Sequence, residues 1–173
     1  MRARAEVACN LQSLACEFGF SDVFITEIDI LREDSVDLSY SKTRDEFKKR
    51  IADGEFGIVI VTPPCSSWTR LVWLNSRGPR PCRCRSCPWG FPWATGANLA
   101  RAELGNTWVV FLIDILVIVK GLPTHTWCLV VAEHPEDLGH DAKVQAASIW
   151  QLEELRTAAG EYFGSCALLQ CMH

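Results

Sequence analysis

The sequence lacks the features that are typical of repeat proteins, low-complexity proteins, secreted proteins and membrane-spanning proteins. It has no internal repeat and no low-complexity tract, and Arg2, Arg4 and Glu6 interrupt its start, where a secretory leader would be apolar. Its most apolar stretch, 108–119, is too short to cross a bilayer and contains Asp114. We therefore expect a single domain in which 108–119 is a buried helix, without membrane contact.

The cysteine count and the distribution of charge are both informative. The chain has nine cysteines, an odd number. Without an apolar leader, this count predicts free or metal-bound thiols and an intracellular, reducing setting. The net charge is -4, yet residues 57–102 contain no acidic side chain. The arginines of this stretch concentrate basic charge in one central segment.

The order of predicted elements is that of an α/β domain. Helical spacing of apolar residues predicts helices at 4–18, 43–53, 100–120 and 144–159. We expect Thr43 to cap the second helix and Gly105 to divide the third. Apolar runs predict strands at 23–28, 56–61, 127–132 and 165–169. The run at 56–61 does not alternate, so both of its faces should be covered, as in a mostly parallel sheet with helices on both faces.

Chemically reactive residues follow three of the predicted strands. They are Asp29, the Pro63-Pro64-Cys65 loop and Glu133. Ligands of parallel sheets bind beyond the carboxyl ends of the strands, so these residues should lie at one edge. Two prolines fix the backbone before Cys65, which suits a nucleophile if a neighbour lowers the thiol pKa. The alternative is that Cys65 is a small buried hydrophobic residue.

Four segments resemble cytosine-5 methyltransferases. Thr62-Pro63-Pro64-Cys65-Ser66 resembles the Pro-Cys loop of that family, and Glu133-His134-Pro135 resembles its Glu-Asn-Val segment. Glu27-Ile28-Asp29 looks like the acidic segment that holds the ribose of S-adenosylmethionine, and Asp37 is similar to the acid near its adenine. Segments 78–81, 133–139 and 148–171 are also similar to a divergent branch of this superfamily that is associated with mobile elements.

This resemblance implies a Rossmann-like methyltransferase domain over 1–173 that begins after the family's first strand and Gly-rich turn, with 66–98 as an insertion rich in Arg, Trp and Cys. It also implies S-adenosylmethionine as cofactor, DNA as partner and, in a eukaryote, a nuclear location. Cys65 would be the nucleophile that attacks cytosine, Glu133 would hold the base, and Pro63 would contact the cofactor. The target base would leave the duplex to reach them.

Other interpretations stay open at this point. Glu133 would otherwise be a salt-bridged carboxylate at a strand end, and Asp29 a cap of a helix or turn. An amino-methyltransferase acting on adenine or cytosine nitrogen would use a Pro-Pro-aromatic loop, but Cys65 stands in the place of the aromatic residue. The chain could also be a truncated or inactive copy of such a methyltransferase, or a non-catalytic nucleic-acid-binding remnant that uses its segment rich in Arg and Trp.

The central segment is the predicted nucleic-acid contact. Arginines with interleaved tryptophans suit phosphate contacts and base stacking, although they could instead pack over the sheet. The candidate contacts are Ser66, Arg70, Arg77, Arg80, Arg83 and Arg85. Cys82, Cys84 and Cys87 have a spacing that could share zinc with a fourth ligand, but three free thiols are the preferred interpretation. His134 could tune Glu133 or cap a turn, and the turn cap is the preferred interpretation.

Overall fold

The structure, a computed structural model, describes residues 2–20, 23–26, 37–137, 139 and 145–160. The chain divides into two compact units, Met1–Thr43 and Arg44–His173. The helices are α1 (Arg2–Glu17), α2 (Ser41–Ala52), α3 (Leu71–Leu74), α4 (Gly96–Lys120) and α5 (Glu153–Ala159), and the strands are β1 (Ile58–Val61) and β2 (Leu129–Ala132). Short 3-10 turns cover Cys65–Ser67 and Ile149–Gln151.

The unit Arg44–His173 combines helices with a small parallel sheet, which is a mixed α/β arrangement. β1 and β2 pair in parallel, with Ile58 opposite Leu129 and Val61 opposite Ala132. The crossover between them contains α4, as a parallel pair requires. The α/β prediction is therefore confirmed in this coarse form. The predicted strand at 165–169 and part of that at 23–28 lie outside the described residues, and 23–26 are not in a strand.

The prediction that β1 is covered on both faces is wrong for the described structure. Ile58 and Ile60 are each 54% exposed, whereas Val61 is 6% exposed. Leu129 and Val131 of β2 are exposed as well. One face of the sheet therefore presents branched apolar side chains to solvent. Exposed and less exposed residues alternate along β1, although its sequence is apolar throughout.

The long helix α4 supplies the core. It begins at Gly96, earlier than predicted, and runs to Lys120 without a break at Gly105. Val109, Leu112 and Ile115 are each at most 1% exposed, and the helix packs against α5. By length and mean hydropathy α4 could cross a membrane, a test that core helices of soluble proteins also pass.

Two other helices differ from their predicted bounds. α2 begins at Ser41, so Thr43 lies inside the helix and the predicted cap is wrong. The helix predicted at 144–159 is shorter, because a 3-10 turn and the extended Leu152, with φ -67° and ψ 124°, precede α5. The apolar side chains of this region, Ile149, Leu152 and Leu155, are all buried.

Candidate functional site

The carboxyl ends of β1 and β2 lie side by side. Their register places Val61 opposite Ala132, and the Glu133 backbone N–H donates a hydrogen bond to the Val61 carbonyl oxygen at 3.0 Å. The loop that leads to Cys65 and the residue Glu133 therefore leave the sheet at the same edge. This is the edge at which parallel sheets bind ligands.

Backbone constraints fix the position of Cys65. Pro64 has φ -56° and ψ 118°, and a 3-10 turn begins directly after it. The Cys65 carbonyl oxygen accepts hydrogen bonds from the backbone N–H groups of Trp68 at 2.9 Å and Thr69 at 3.0 Å. Pro63 is buried, while Cys65 is exposed. The thiol is thus accessible on a fixed backbone, unlike the small buried residue of the alternative interpretation.

An aromatic contact joins the loops that follow the two strands. His134 lies between two tryptophans, with ring centroids 6.2 Å from Trp68 and 6.2 Å from Trp150 and both pairs edge to face. The Trp150 indole N–H also donates to the Pro135 carbonyl oxygen at 3.0 Å. Trp68 follows the Cys65 turn and His134 follows Glu133, so their contact holds the two loops together.

Burial gives His134 a structural role instead of the predicted turn cap. Its side chain is 9% exposed, and neither ring nitrogen has a hydrogen-bond partner of normal geometry among the described residues. Burial lowers the pKa of His134 to about 4, the adjacent Pro135 carbonyl opposes this shift, and the Arg83 charge adds to it. The imidazole is therefore neutral near pH 7. Cys65 and Glu133 are both exposed at this edge.

Arg83 is a buried anchor, and this corrects its prediction as a nucleic-acid contact. It is 1% exposed, and its guanidinium lies 3.8 Å from the Trp68 ring centroid. It donates hydrogen bonds to the Pro88 carbonyl oxygen at 2.6 Å, to Asn106 Oδ1 at 2.9 Å and to the Ala102 carbonyl oxygen at 2.7 Å. All its strong contacts are internal, so a phosphate cannot reach it in this structure.

The other candidate contacts are placed differently. Ser66, Arg77, Arg80 and Arg85 are exposed, while Arg70 is partly buried. Near Arg77, the Asn75 Oδ1 accepts two backbone N–H groups and fixes a turn. One exposed aromatic platform accompanies them: Trp93 is 72% exposed and stacks on Phe91 with centroids 4.9 Å apart. These side chains lie on the segment that follows the Cys65 loop.

The three clustered cysteines differ in their burial. Cys82 and Cys84 are buried and Cys87 is half-buried. Among residues 2–20, 23–26, 37–137, 139 and 145–160, no group of three or more His, Cys, Asp or Glu side chains is arranged to hold a metal ion. Cys84 and Cys87 pair across a tight hairpin.

The predicted cofactor residues are only partly described. Glu27 and Asp29 lie outside the described residues. The Asp37 carboxylate accepts a hydrogen bond from the Ser39 backbone N–H at 2.7 Å, which is the geometry of a turn cap. Pro63 is buried, and its side chain carries no polar group. The described candidates therefore do not by themselves build a site for S-adenosylmethionine.

Sequence reasoning missed the contacts beneath the loop. A Cβ on Gly105 would lie 2.5 Å from Ser67 Oγ, 3.0 Å from Trp68 Nε1 and 3.1 Å from Arg83 Nη2. Gly105 thus lets α4 approach the Cys65 turn and the buried guanidinium. The sequence did contain one indication of these contacts, which is a glycine inside a strongly apolar helical pattern. Such a glycine often marks a position where another part of the chain packs closely against the helix.

Two surface depressions lie elsewhere in the described structure. One is lined by α4 and α5, the other includes Arg85 and Arg156, and neither contains Cys65 or Glu133. The candidate site lies at the carboxyl edge of the sheet. Comparisons with protein families, with curated proteins and with solved structures found no match to this chain.

Proposed function

We propose that this chain is a Rossmann-like, base-modifying domain of the cytosine-5 methyltransferase type, acting on nucleic acid through Cys65 and Glu133. The observation that carries the proposal is the parallel pairing of β1 and β2. Their register brings the Pro63-Pro64-Cys65 loop and Glu133 to one edge of the sheet, and Trp68 and His134 link the two loops.

The chemistry needs one thiolate and one carboxyl group. The Cys65 thiolate adds to C6 of a cytosine, and the electrons of the C5–C6 double bond move toward N3, which takes a proton from the Glu133 carboxyl group. C5 of the adduct is then nucleophilic. Reversal expels the thiolate after C5 has lost its original proton. Glu133 is assigned the proton-transfer role because it is exposed at the strand end, whereas the neighbouring His134 is buried and neutral.

S-adenosylmethionine would supply the methyl group that C5 accepts. The described residues do not establish its site, since the Asp37 carboxylate already caps a turn and Pro63 is buried. The cofactor assignment therefore rests on the resemblance, and the base chemistry rests on Cys65 and Glu133. Addition of the thiolate to C6 needs no cofactor, so the two can be tested separately.

The nucleic acid would meet exposed basic side chains close to the loop. Arg77, Arg80 and Arg85 offer phosphate contacts, and the Phe91–Trp93 stack offers a platform for an unpaired base. A base must leave the duplex to meet a thiol at a sheet edge. A single-stranded substrate removes the cost of that step and is the first choice for an assay.

Deuterium exchange at C5 tests the thiol chemistry directly. In D2O, the adduct of Cys65 takes up deuterium at C5 and releases the original proton, so cytosine in a single-stranded oligodeoxynucleotide gains mass without S-adenosylmethionine. We expect this exchange in the wild-type protein and its loss in Cys65→Ala. Cys128→Ala, which alters a half-buried thiol just before β2, is the matched control and should keep the exchange.

The outcome is decisive in either direction. Exchange that survives Cys65→Ala, or no exchange with DNA or RNA by a folded wild-type protein, would overturn the proposal. Glu133→Gln should slow exchange and shift its pH profile, because the amide carries no transferable proton.

A second candidate, nucleic-acid binding without catalysis, is favoured by the exposed arginines and the exposed Trp93 stack. It predicts that a fluorescent single-stranded oligonucleotide binds with strong salt dependence while C5 exchange is absent. Trp93→Ala should weaken this binding by roughly 5- to 100-fold, if one base stacks on the ring. Unchanged affinity would exclude the platform.

A further inference from the structure

A tight hairpin brings Cys84 and Cys87 together. Each backbone N–H donates to the carbonyl oxygen of the other residue, at 3.3 Å from Cys84 and 3.0 Å from Cys87. Arg85 and Ser86 form the exposed connection. An antiparallel pair with both hydrogen bonds has Cα atoms about 5.5 Å apart. That separation lies within the range of about 4.4–6.8 Å that a disulfide bridge needs.

The Cys84 sulfur lies in a polar part of this hairpin. Hydrogen bonding from Ser86 and Cys87 favours the Cys84 thiolate. The Ser86 hydroxyl lies 3.1 Å from the same sulfur. Burial by itself would raise the pKa of the Cys84 thiol, but these hydrogen bonds together lower it below the ordinary value.

The surroundings favour a pair of thiols over a metal centre. Cys82, the third cysteine of the cluster, is 1% exposed and interacts with the Arg83 guanidinium. Arg83 is fixed by its three hydrogen bonds, so it holds the start of the hairpin in place. Cys87 is half-buried and is the more accessible thiol of the pair.

We propose that Cys84 and Cys87 form a reversible dithiol–disulfide site that exchanges with small disulfides such as oxidised glutathione. The Cys87 thiolate attacks one glutathione sulfur, so the glutathione disulfide bond breaks and one glutathione leaves as its thiol. The Cys84 thiolate then attacks the Cys87 sulfur, which forms the intramolecular bond and releases the second glutathione. The protein loses two electrons and two protons, and the glutathione disulfide gains them.

Peptide mapping tests the connectivity. The native protein is incubated with oxidised glutathione, its remaining thiols are alkylated, and it is digested with trypsin without reduction. Cleavage after Arg83, Arg85 and Arg101 separates the two cysteines into peptides 84–85 and 86–101, while Cys82 falls in 78–83. We expect 84–85 to be recovered linked to 86–101, and the link to disappear after reduction with dithiothreitol.

Single variants test the order of steps and the control. Cys84→Ser should keep glutathione on Cys87 as a stable mixed disulfide, because the resolving thiol is gone. In Cys87→Ser, peptide 84–85 should carry little glutathione, because Cys84 is buried. Cys128→Ser should form the native link unchanged.

A disulfide link from peptide 78–83 to either of the other two peptides would overturn the proposal. Uptake of glutathione mainly at Cys84 would also overturn it. So would the recovery of Cys84 and Cys87 as free thiols after exposure to oxidised glutathione. Far-UV circular dichroism establishes that each variant is folded. The C5 exchange of cytosine plays no part in these readouts, so the dithiol site and the base chemistry stand or fall separately.

Discussion

Replacing Arg83 with methionine tests whether this arginine is an internal anchor or a nucleic-acid contact. Methionine keeps most of the apolar stem but removes the guanidinium. The change leaves the Pro88 and Ala102 carbonyl oxygens and Asn106 Oδ1 without their donor. It also removes the cation that lies 3.8 Å from the Trp68 ring centroid. The expected result is a loss of stability throughout the unit that contains the hairpin and α4.

The magnitude follows from these contacts. Each buried acceptor left without a partner costs roughly 1 kcal/mol or more, which gives about 3 kcal/mol for the three. A desolvated cation–π contact adds about 1–2 kcal/mol. Relief from burying a guanidinium offsets about 1–2 kcal/mol of this, because the charge has been taken out of water. We expect Arg83→Met to lower the free energy of unfolding by about 2–4 kcal/mol.

Urea unfolding followed by circular dichroism measures the change. Arg85→Met is the matched control, because Arg85 is exposed in the same hairpin, and its free energy of unfolding should stay within about 0.5 kcal/mol of wild type. The anchor role would be refuted if Arg83→Met unfolded at the wild-type urea concentration. A specific loss of oligonucleotide binding by a fully stable Arg83→Met protein would restore the surface role.

Two further predictions concern the residues around this anchor. The folded-state pKa of His134, about 4, lies below its unfolded value near 6.5, so the unfolded chain binds more protons between these values. Stability should therefore fall by up to roughly 3 kcal/mol as pH drops from 6.5 to 4. His134→Phe should remove that part of the pH dependence, and parallel stability profiles for the two proteins would contradict it. Gly105→Ala should destabilise the protein by about 1–2 kcal/mol, because crowding against Ser67 and Trp68 outweighs the gain of about 1 kcal/mol in helix propensity. An increase in the melting temperature would contradict this, and Glu103→Ala on the exposed side of α4 is its control.

The sequence predicted the elements whose signals are local. Helical spacing located α1 and α2 within a few residues, and branched apolar runs located β1 and β2. The position of the Cys65 loop and Glu133 at one edge also follows from chain order, since parallel neighbouring strands end on the same side. The prediction of the two strands, together with the rule for parallel pairing, was therefore enough to place the Cys65 loop and Glu133 at the same edge.

Arg83 and His134 could not be assigned in this way. An arginine in a segment without acids has the composition of a phosphate-binding residue, and nothing local shows that Asn106 and Ala102 will approach it. His134 likewise becomes buried because Trp68 and Trp150 reach it from distant parts of the chain. Burial of a polar side chain depends on partners supplied by tertiary packing, which a one-dimensional pattern does not contain.

The burial of apolar side chains in the sheet could not be predicted from the local sequence either. The sequence of β1, Ile-Val-Ile-Val, has no polar residue, and such strands occur in sheets covered on both faces. Yet Ile58 and Ile60 are each 54% exposed. Branched apolar side chains favour an extended backbone whether or not their face is covered. Composition therefore predicted the strand correctly, whereas its burial depends on which other elements pack against the sheet, as α4 packs against β2.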